Sequence, residues 1–336
     1  MKPTDFAIRL TTYLSEYLPA QRNVSPNTIK AYRDTFTLLL RFCRDKRALP
    51  PEKVTIKLLD SSLILAFLEY LQKERGCKAP TRNHRLAALH AFFRYLQTEE
   101  PDRIAQCQQI LAIPCQRCPR SMVNYLSSDK LAAILAQPDL TTVQGRRDAV
   151  LLSVLYDTGA RVQELIDLSA GDVRLDSPAQ IRLTGKGRKT RAVPLLSATV
   201  NLLKEYMCEH GLNQLERLGS PLFWNRHGRG LSRSGVRYIL TKYVDLARAN
   251  MPSLQRKITP HTLRHSKAMH LLYAGNPATT IQAILGHADV KTTDIYARAN
   301  MDMMRRALEK AADAVPSIKL PSWQKNKSLM DWLRSL

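Results

Sequence analysis

The sequence predicts a mainly α-helical protein in two parts: a bundle of four amphipathic helices, then a larger, mainly helical domain that carries a small antiparallel β-sheet. Three observations predict it. The chain has 336 residues, more than one core usually holds, since domains run roughly 100 to 200 residues. Apolar residues recur at helical spacing through the first third of the chain and again through most of the second half. Within the second part lies a stretch, residues 180–195, that alternates apolar and polar around a glycine-containing centre, the pattern of a hairpin.

Four stripes define the bundle. Phe6, Leu10, Tyr13, Leu14, Tyr17 and Leu18 form the first, and Ile29, Tyr32, Phe36 and Leu40 the second, which Ser25 opens as an N-cap with Pro26 in the first helical position. Leu59, Leu63, Phe67 and Leu71 make the third; Leu86, Leu89, Phe93 and Leu96 make the fourth, expected to open at Thr81. Such helices pack as a small bundle, placed at residues 1–111. Periodicity lapses through "AIPCQRCPRSMVNY", residues 112–125, which reads as a linker.

The second domain is expected over residues 126–316. A helix should start after Ser127 and Ser128. A strongly apolar one follows, with Leu151, Leu152 and Leu155, and stops at Gly159; another begins near Ala160 with Val162, Leu165 and Ile166 facing inward. "QIRLT" and "RAVPL", joined by "GKGRKT", form the hairpin. Later helices start at Thr259-Pro260 and Asn276-Pro277, with a stop at Gly286, and one more runs through "MDMMRRALEKAADA". In the tail, residues 317–336, a short helix places Leu329, Trp332, Leu333 and Leu336 on one face. It is too short to be stable alone, so it should either fold back on its own domain or dock on a neighbouring protomer, and the neighbour is the expectation.

Charge narrows the partner. Lys and Arg number 51 against 29 Asp and Glu, a net +22. The excess is spread along the chain, which suits a long polyanion and makes nucleic acid the expected partner. A membrane surface fits less well, because no polybasic run or basic amphipathic segment concentrates the charge. No apolar run approaches the roughly 18 residues that span a bilayer, and the opening lacks the apolar core of a signal peptide; a cytoplasmic protein is expected. The six cysteines (43, 77, 107, 115, 118 and 208) are irregularly spaced. Cys115-x-x-Cys118 has no second pair at ligand spacing, so neither a disulfide framework nor a metal site is expected. On the polar faces near two helix starts, Asn27, Thr28, Lys30 and Arg33, then Lys78, Thr81, Arg82, His84 and Arg85, offer groups that meet phosphates and base edges. Each taken alone also fits an ordinary solvated face.

Four places in the second half concentrate groups that bind or protonate a phosphate. Arg161 follows Gly159 with Glu164 one turn on, which by itself also fits a surface ion pair. Lys186 stands between two glycines at the hairpin tip. His261 and Arg264 project together near a helix N-terminus, where anions are favoured. His287 and Tyr296 lie nine positions apart, and a lone tyrosine on a helix is usually a packing residue.

Together these groups are far more specific. The stretches "TGARVQEL", "TGKGRKTRAVPL", "TPHTLRHSKA" and "LGHADVKTTDIYAR" resemble the tyrosine recombinases, the phage integrase and Xer-like family of DNA breaking and rejoining enzymes. The resemblance implies that the bundle is the family's SAM-like core-binding domain and the second half its catalytic domain. It implies Tyr296 as the nucleophile that takes a DNA 3′ phosphate, with Arg161 and Arg264 clamping the non-bridging oxygens. It further implies Lys186 as general acid, His261 for the tyrosine's proton and His287 on the phosphate. Glu164 orients the site from behind. The implied partner is double-stranded DNA at a specific recombination site, bound by a homo-tetramer on two duplexes, alone or with a related recombinase. Neither cofactor nor metal is expected, and the place of work is the cytoplasmic nucleoid. The competing readings are a type IB topoisomerase and a DNA-binding regulator without turnover.

Overall fold

The computed structural model describes residues 2–118, 124–185, 187, 189–286 and 327–335. Lys186, His287, Tyr296, the helix expected through residues 301–314 and part of the linker lie outside them. The chain divides into two compact units, Met1–Ser121 and Met122–Leu336.

In the first unit, α1 (Asp5–Thr12) is capped by Thr4, whose hydroxyl accepts from the Ala7 N–H, and continues as a π-helical stretch, Tyr13–Gln21. Next come α2 (Pro26–Arg47), α3 (Ser61–Lys73), α4 (Ala79–Glu99) and α5 (Ile104–Leu111). Ser25 caps α2 with Pro26 behind it, as expected, and Asp60 caps α3. Two starts differ from expectation. Leu59 precedes α3, and Thr81 lies inside the first turn of α4, which opens at Ala79 with Pro80 beside it and no side-chain cap. A fifth helix also exists: α5 is short, yet it seals the core with Cys107 and Ile110. Phe92 sits at the centre of that core, 5.1 Å from the Phe36 ring, 5.3 Å from Tyr13 and 5.9 Å from Phe6. Removing so buried a ring would cost about 3 to 5 kcal/mol.

The second unit contains α6 (Ser128–Leu135), α7 (Val143–Asp157), α8 (Val162–Ile166), α9 (Ser197–Glu209), α10 (Arg233–Asn250), α11 (Pro260–Tyr273), α12 (Ala278–Leu285) and α13 (Lys327–Ser335). Between α8 and α9 lies an antiparallel sheet of β1 (Val173–Arg174), β2 (Gln180–Thr184) and β3 (Thr190–Pro194), in that spatial order. The expected hairpin is β2–β3, in register Ile181↔Val193, Leu183↔Arg191 and Thr184↔Thr190. β1 has two residues, too few to show alternation in sequence. Helix α7 is apolar on most sides and is buried accordingly, with Leu151, Leu152, Val154 and Leu155 fully enclosed. The inner face of the sheet closes the same core with Ile181, Leu183 and Val193.

Two buried ties set α11 against its neighbours. Lys267 donates to Asp157 at 3.2 Å, and Ser266 accepts from the Leu126 N–H at 2.8 Å. In α13, Leu333 is exposed; the side chains of Leu329, Trp332 and Leu336 lie outside the described residues. Among the described residues, no helix is long and apolar enough to cross a membrane.

Candidate active site

Arg161 and Glu164 take their places from the break between α7 and α8. Helix α7 ends at Asp157, and Gly159 then turns the chain with φ +58°, a conformation that glycine adopts freely. A Cβ at Gly159 would lie 2.5 Å from Leu285 Cδ2, so the turn also lets α12 come close. Arg161 occupies the N-cap of α8, and Glu164 reaches back to it in a capping box: Oε2 accepts from the Arg161 N–H at 2.9 Å and Oε1 from Nη1 at 2.6 Å.

Glu164 is 3 % exposed and has a second cation. Arg191 Nη2 donates to its Oε2 at 2.8 Å. Burial pushes the Glu164 carboxyl up, but the bonds from Arg191 and from the Arg161 N–H and guanidinium outweigh it, holding the group ionised and below its ordinary range. Expected from the sequence as the group behind Arg161, Glu164 is thus shared between two arginines.

On α11, Thr259 caps the helix and Pro260 opens it, so His261 and Arg264 stand in its first turns. Arg264 is 4 % exposed; its Nη1 donates to the Gly159 carbonyl and its Nη2 to the Leu285 carbonyl, both at 2.6 Å. The fork is thereby locked in orientation, which a pre-set anion clamp requires. His261 is exposed, yet its pKa lies below the ordinary histidine value. Displaced solvent contributes most, then the Arg264 and Arg161 cations. The imidazole is therefore neutral at pH 7 and able to accept a proton. His265, one turn on and 6.4 Å from it ring to ring, is lowered for similar reasons.

The C-terminal end of α12 gathers these groups. Its last carbonyls have no partners within the helix and form its negative end. Arg191 Nε donates to the Ile284 carbonyl at 2.8 Å, Arg264 Nη2 to Leu285 at 2.6 Å, and Arg161 Nη2 to Gly286 at 3.2 Å. Gly286, in the left-handed conformation, ends the helix as expected. The hairpin backs onto the same cluster, because a Cβ at Gly185 would lie 2.9 Å from Glu164 Oε1.

The structure therefore brings together Arg161, Glu164, His261 and Arg264, drawn from separate elements, beneath a surface on which the Arg161 side chain remains 35 % exposed. Arrayed guanidiniums and a neutral imidazole suit the binding of a phosphodiester and the movement of a proton beside it. Lys186, His287 and Tyr296 lie outside the described residues. Sequence reading missed Arg191. A signal existed: in β3 it alternates with Val193 on the inward side, and an arginine on an inward face needs an anion there.

In the first unit, Arg85 donates to the Ala31 carbonyl at 3.2 Å and to Thr35 Oγ1 at 3.1 Å, while Phe92 meets Phe36 farther along. Helices α2 and α4 thus run in the same sense and bring their N-termini to one end. Asn27, Lys30, Arg33, Lys78 and Thr81 are exposed there, and Thr28 is half-buried. Arg82 is buried, with its guanidinium on the Pro114 carbonyl at 3.3 Å, and its role in the fold is to hold the segment after α5.

Residues 124–303 match the sequence profile of the phage integrase family, and residues 11–100 that of the phage integrase N-terminal SAM-like domain. A Sinorhizobium fredii protein named as an integrase/recombinase, y4rC, is 38% identical over all of this chain and 99% of its own length. Tyrosine recombinase XerC of Pelotomaculum thermopropionicum is 32% identical over 88% of this chain and 95% of its own. Among solved structures, the fold is shared with the Tn1549 transposon integrase in complex with transposon right end DNA (TM-score 0.68, 18% identity, 90% of this chain and 99% of that one). It is shared too with XerH site-specific recombinase bound to its difH substrate (TM-score 0.66, 24% identity, 90% and 83%).

Proposed function

Because this chain belongs to the phage integrase family of tyrosine recombinases, enzymes that cleave and rejoin DNA, we propose that it carries out conservative site-specific recombination through a 3′-phosphotyrosyl intermediate on Tyr296. The observation that carries this reading is the convergence of Arg161 and Arg264 at the end of α12, with Glu164 on Arg161 and His261 in the field of both arginines; from that helix end the chain continues into His287 and Tyr296.

In this reading the Tyr296 oxygen attacks the phosphorus, the tyrosine's proton passes to His261, and the 5′-oxygen leaves with a proton from Lys186. A phenol with a pKa of about 10 needs such a base and a positive field to act at neutral pH. Arg161 and Arg264 take up the added charge of the five-coordinate phosphorus, and His287 donates to one of its oxygens. The bond to tyrosine keeps the energy of the broken phosphodiester, so a free 5′-hydroxyl from a second duplex reverses the attack without ATP.

Residues 1–111 serve as the core-binding domain, with the exposed cations at the N-termini of α2 and α4 on the phosphate backbone. Residues 126–316 are catalytic. The tail, residues 317–336, docks on the next protomer of a tetramer that holds two duplexes, alone or with a related recombinase. A DNA substrate puts the working place at the nucleoid.

The test uses nicked duplexes selected from a random-sequence pool by binding to the wild-type protein. A denaturant-resistant adduct should form, persist in EDTA and vanish in Tyr296→Phe. No adduct would leave a DNA-binding regulator. An adduct on nearly any sequence would point to a topoisomerase, and loss of the adduct in chelator would overturn the metal-free chemistry.

A further inference from the structure

We propose that Arg191 is a positioning residue of the cleavage reaction: from β3 it binds the Arg161–Glu164 pair and the C-terminal end of α12 into one frame. The inference rests on the recombinase reading above. Arg191 spans two partners far away in sequence, Glu164 Oε2 and the Ile284 carbonyl, both at 2.8 Å. Arg191 lies outside the motif positions that the resemblance places on the phosphate, and its Nε and Nη2 both serve partners within the fold, so its part is to brace the site.

What it braces is specific. Three consecutive carbonyls, Ile284, Leu285 and Gly286, each take a guanidinium N–H, from Arg191, Arg264 and Arg161 in turn. Arg161 and Arg264 have roles on the phosphate; Arg191 holds the same helix end from the hairpin side. The fit is close, since a Cβ on Gly286 would lie 2.6 Å from Arg191 Nη1. The hairpin that leads to Lys186 enters the frame through Gly185, packed on Glu164 Oε1. Arg191 therefore links the strand pair flanking Lys186, the carboxylate that aims Arg161, and the chain that runs on to His287 and Tyr296. An error of about 1 Å in such an alignment costs up to roughly 100-fold in rate.

The experiment measures single-turnover adduct formation by the full chain on the selected nicked duplex, as a function of protein concentration, with thermal unfolding alongside. Arg191→Ala should slow the rate at saturation by roughly 10- to 100-fold while the half-saturating concentration stays near that of wild type. Arg191→Lys keeps a cation by Glu164 but lacks the planar fork that spans both acceptors, so it should fall between the two; it decides the matter if the alanine variant does not fold. A wild-type rate at saturation in the alanine variant, or in the lysine variant should alanine unfold, overturns the proposal. So does a loss confined to half-saturation. Should the wild-type protein itself form no adduct, the recombinase reading fails, and this inference with it.

Discussion

Replacing Glu164 with alanine takes away a carboxylate that three donors share: the Arg161 N–H, the Arg161 guanidinium and Arg191, at 2.9, 2.6 and 2.8 Å. Arg191, 12 % exposed, keeps its charge in a site with little water; Arg161, 35 % exposed, partly rehydrates. Removing one partner of a buried ion pair costs about 3 to 5 kcal/mol. Discounting the solvent-screened Arg161 half puts the loss near the lower end, about 3 kcal/mol, which for a unit of this size lowers the unfolding midpoint by roughly 6 to 12 °C. The pH dependence has a definite sign. The carboxyl is held below its ordinary value in the folded protein, so its contribution is fully present above the unfolded pKa of about 4.3 and is lost as pH falls through the lower folded value. Thermal unfolding of wild type and Glu164→Ala, followed by circular dichroism from pH 8 down to pH 3, should show a constant gap at neutral pH that closes in acid. A midpoint within about 1 °C of wild type at pH 7, or a gap that widens on acidification, would refute the account of Glu164 as a shared buried anion.

Three further outcomes are expected. Arg264→Lys keeps the charge but cannot serve the Gly159 and Leu285 carbonyls and a phosphate at once, so adduct formation should drop roughly 100- to 1,000-fold; a wild-type rate would dispose of the fork argument. The His261 imidazole, lowered in pKa, should titrate below the ordinary value of about 6.5 when followed by NMR, and cleavage should hold its rate down to that lowered value; a titration at or above 6.5 contradicts the environment described. Gly159→Ala forces an L side chain into φ +58° against Leu285, at a cost of about 1 to 3 kcal/mol read from the urea midpoint, and an unshifted midpoint would mean that α7 and α12 are not so closely apposed.

Local physics is what one sequence displays well. Ser25-Pro26 and Thr259-Pro260 announced helix starts because a cap and a proline act within one turn, and Gly286 announced a stop because few other residues tolerate its conformation. The β2–β3 hairpin was visible in alternation, and the net +22 pointed to a polyanion. Arg161 with Glu164, and His261 with Arg264, showed as pairs one turn apart because that spacing is also local, whereas their assignment to one site came only from the resemblance of four separated stretches taken together. Thr81 misled as a helix start because the helix opens two residues earlier, at Ala79, with Pro80 in its first turn. Arg82, read as a candidate for DNA, is buried on Pro114, a partner that its helical face does not reveal.

The convergence of three arginines on the end of α12 belongs to the tertiary structure. Its bonds join residues 93, 21 and 125 positions apart (Arg191 to Ile284, Arg264 to Leu285, Arg161 to Gly286), and no periodicity records a contact across such separations. Which carbonyl or carboxylate each guanidinium meets depends on how α8, the hairpin, α11 and α12 pack together, and packing alone sets that.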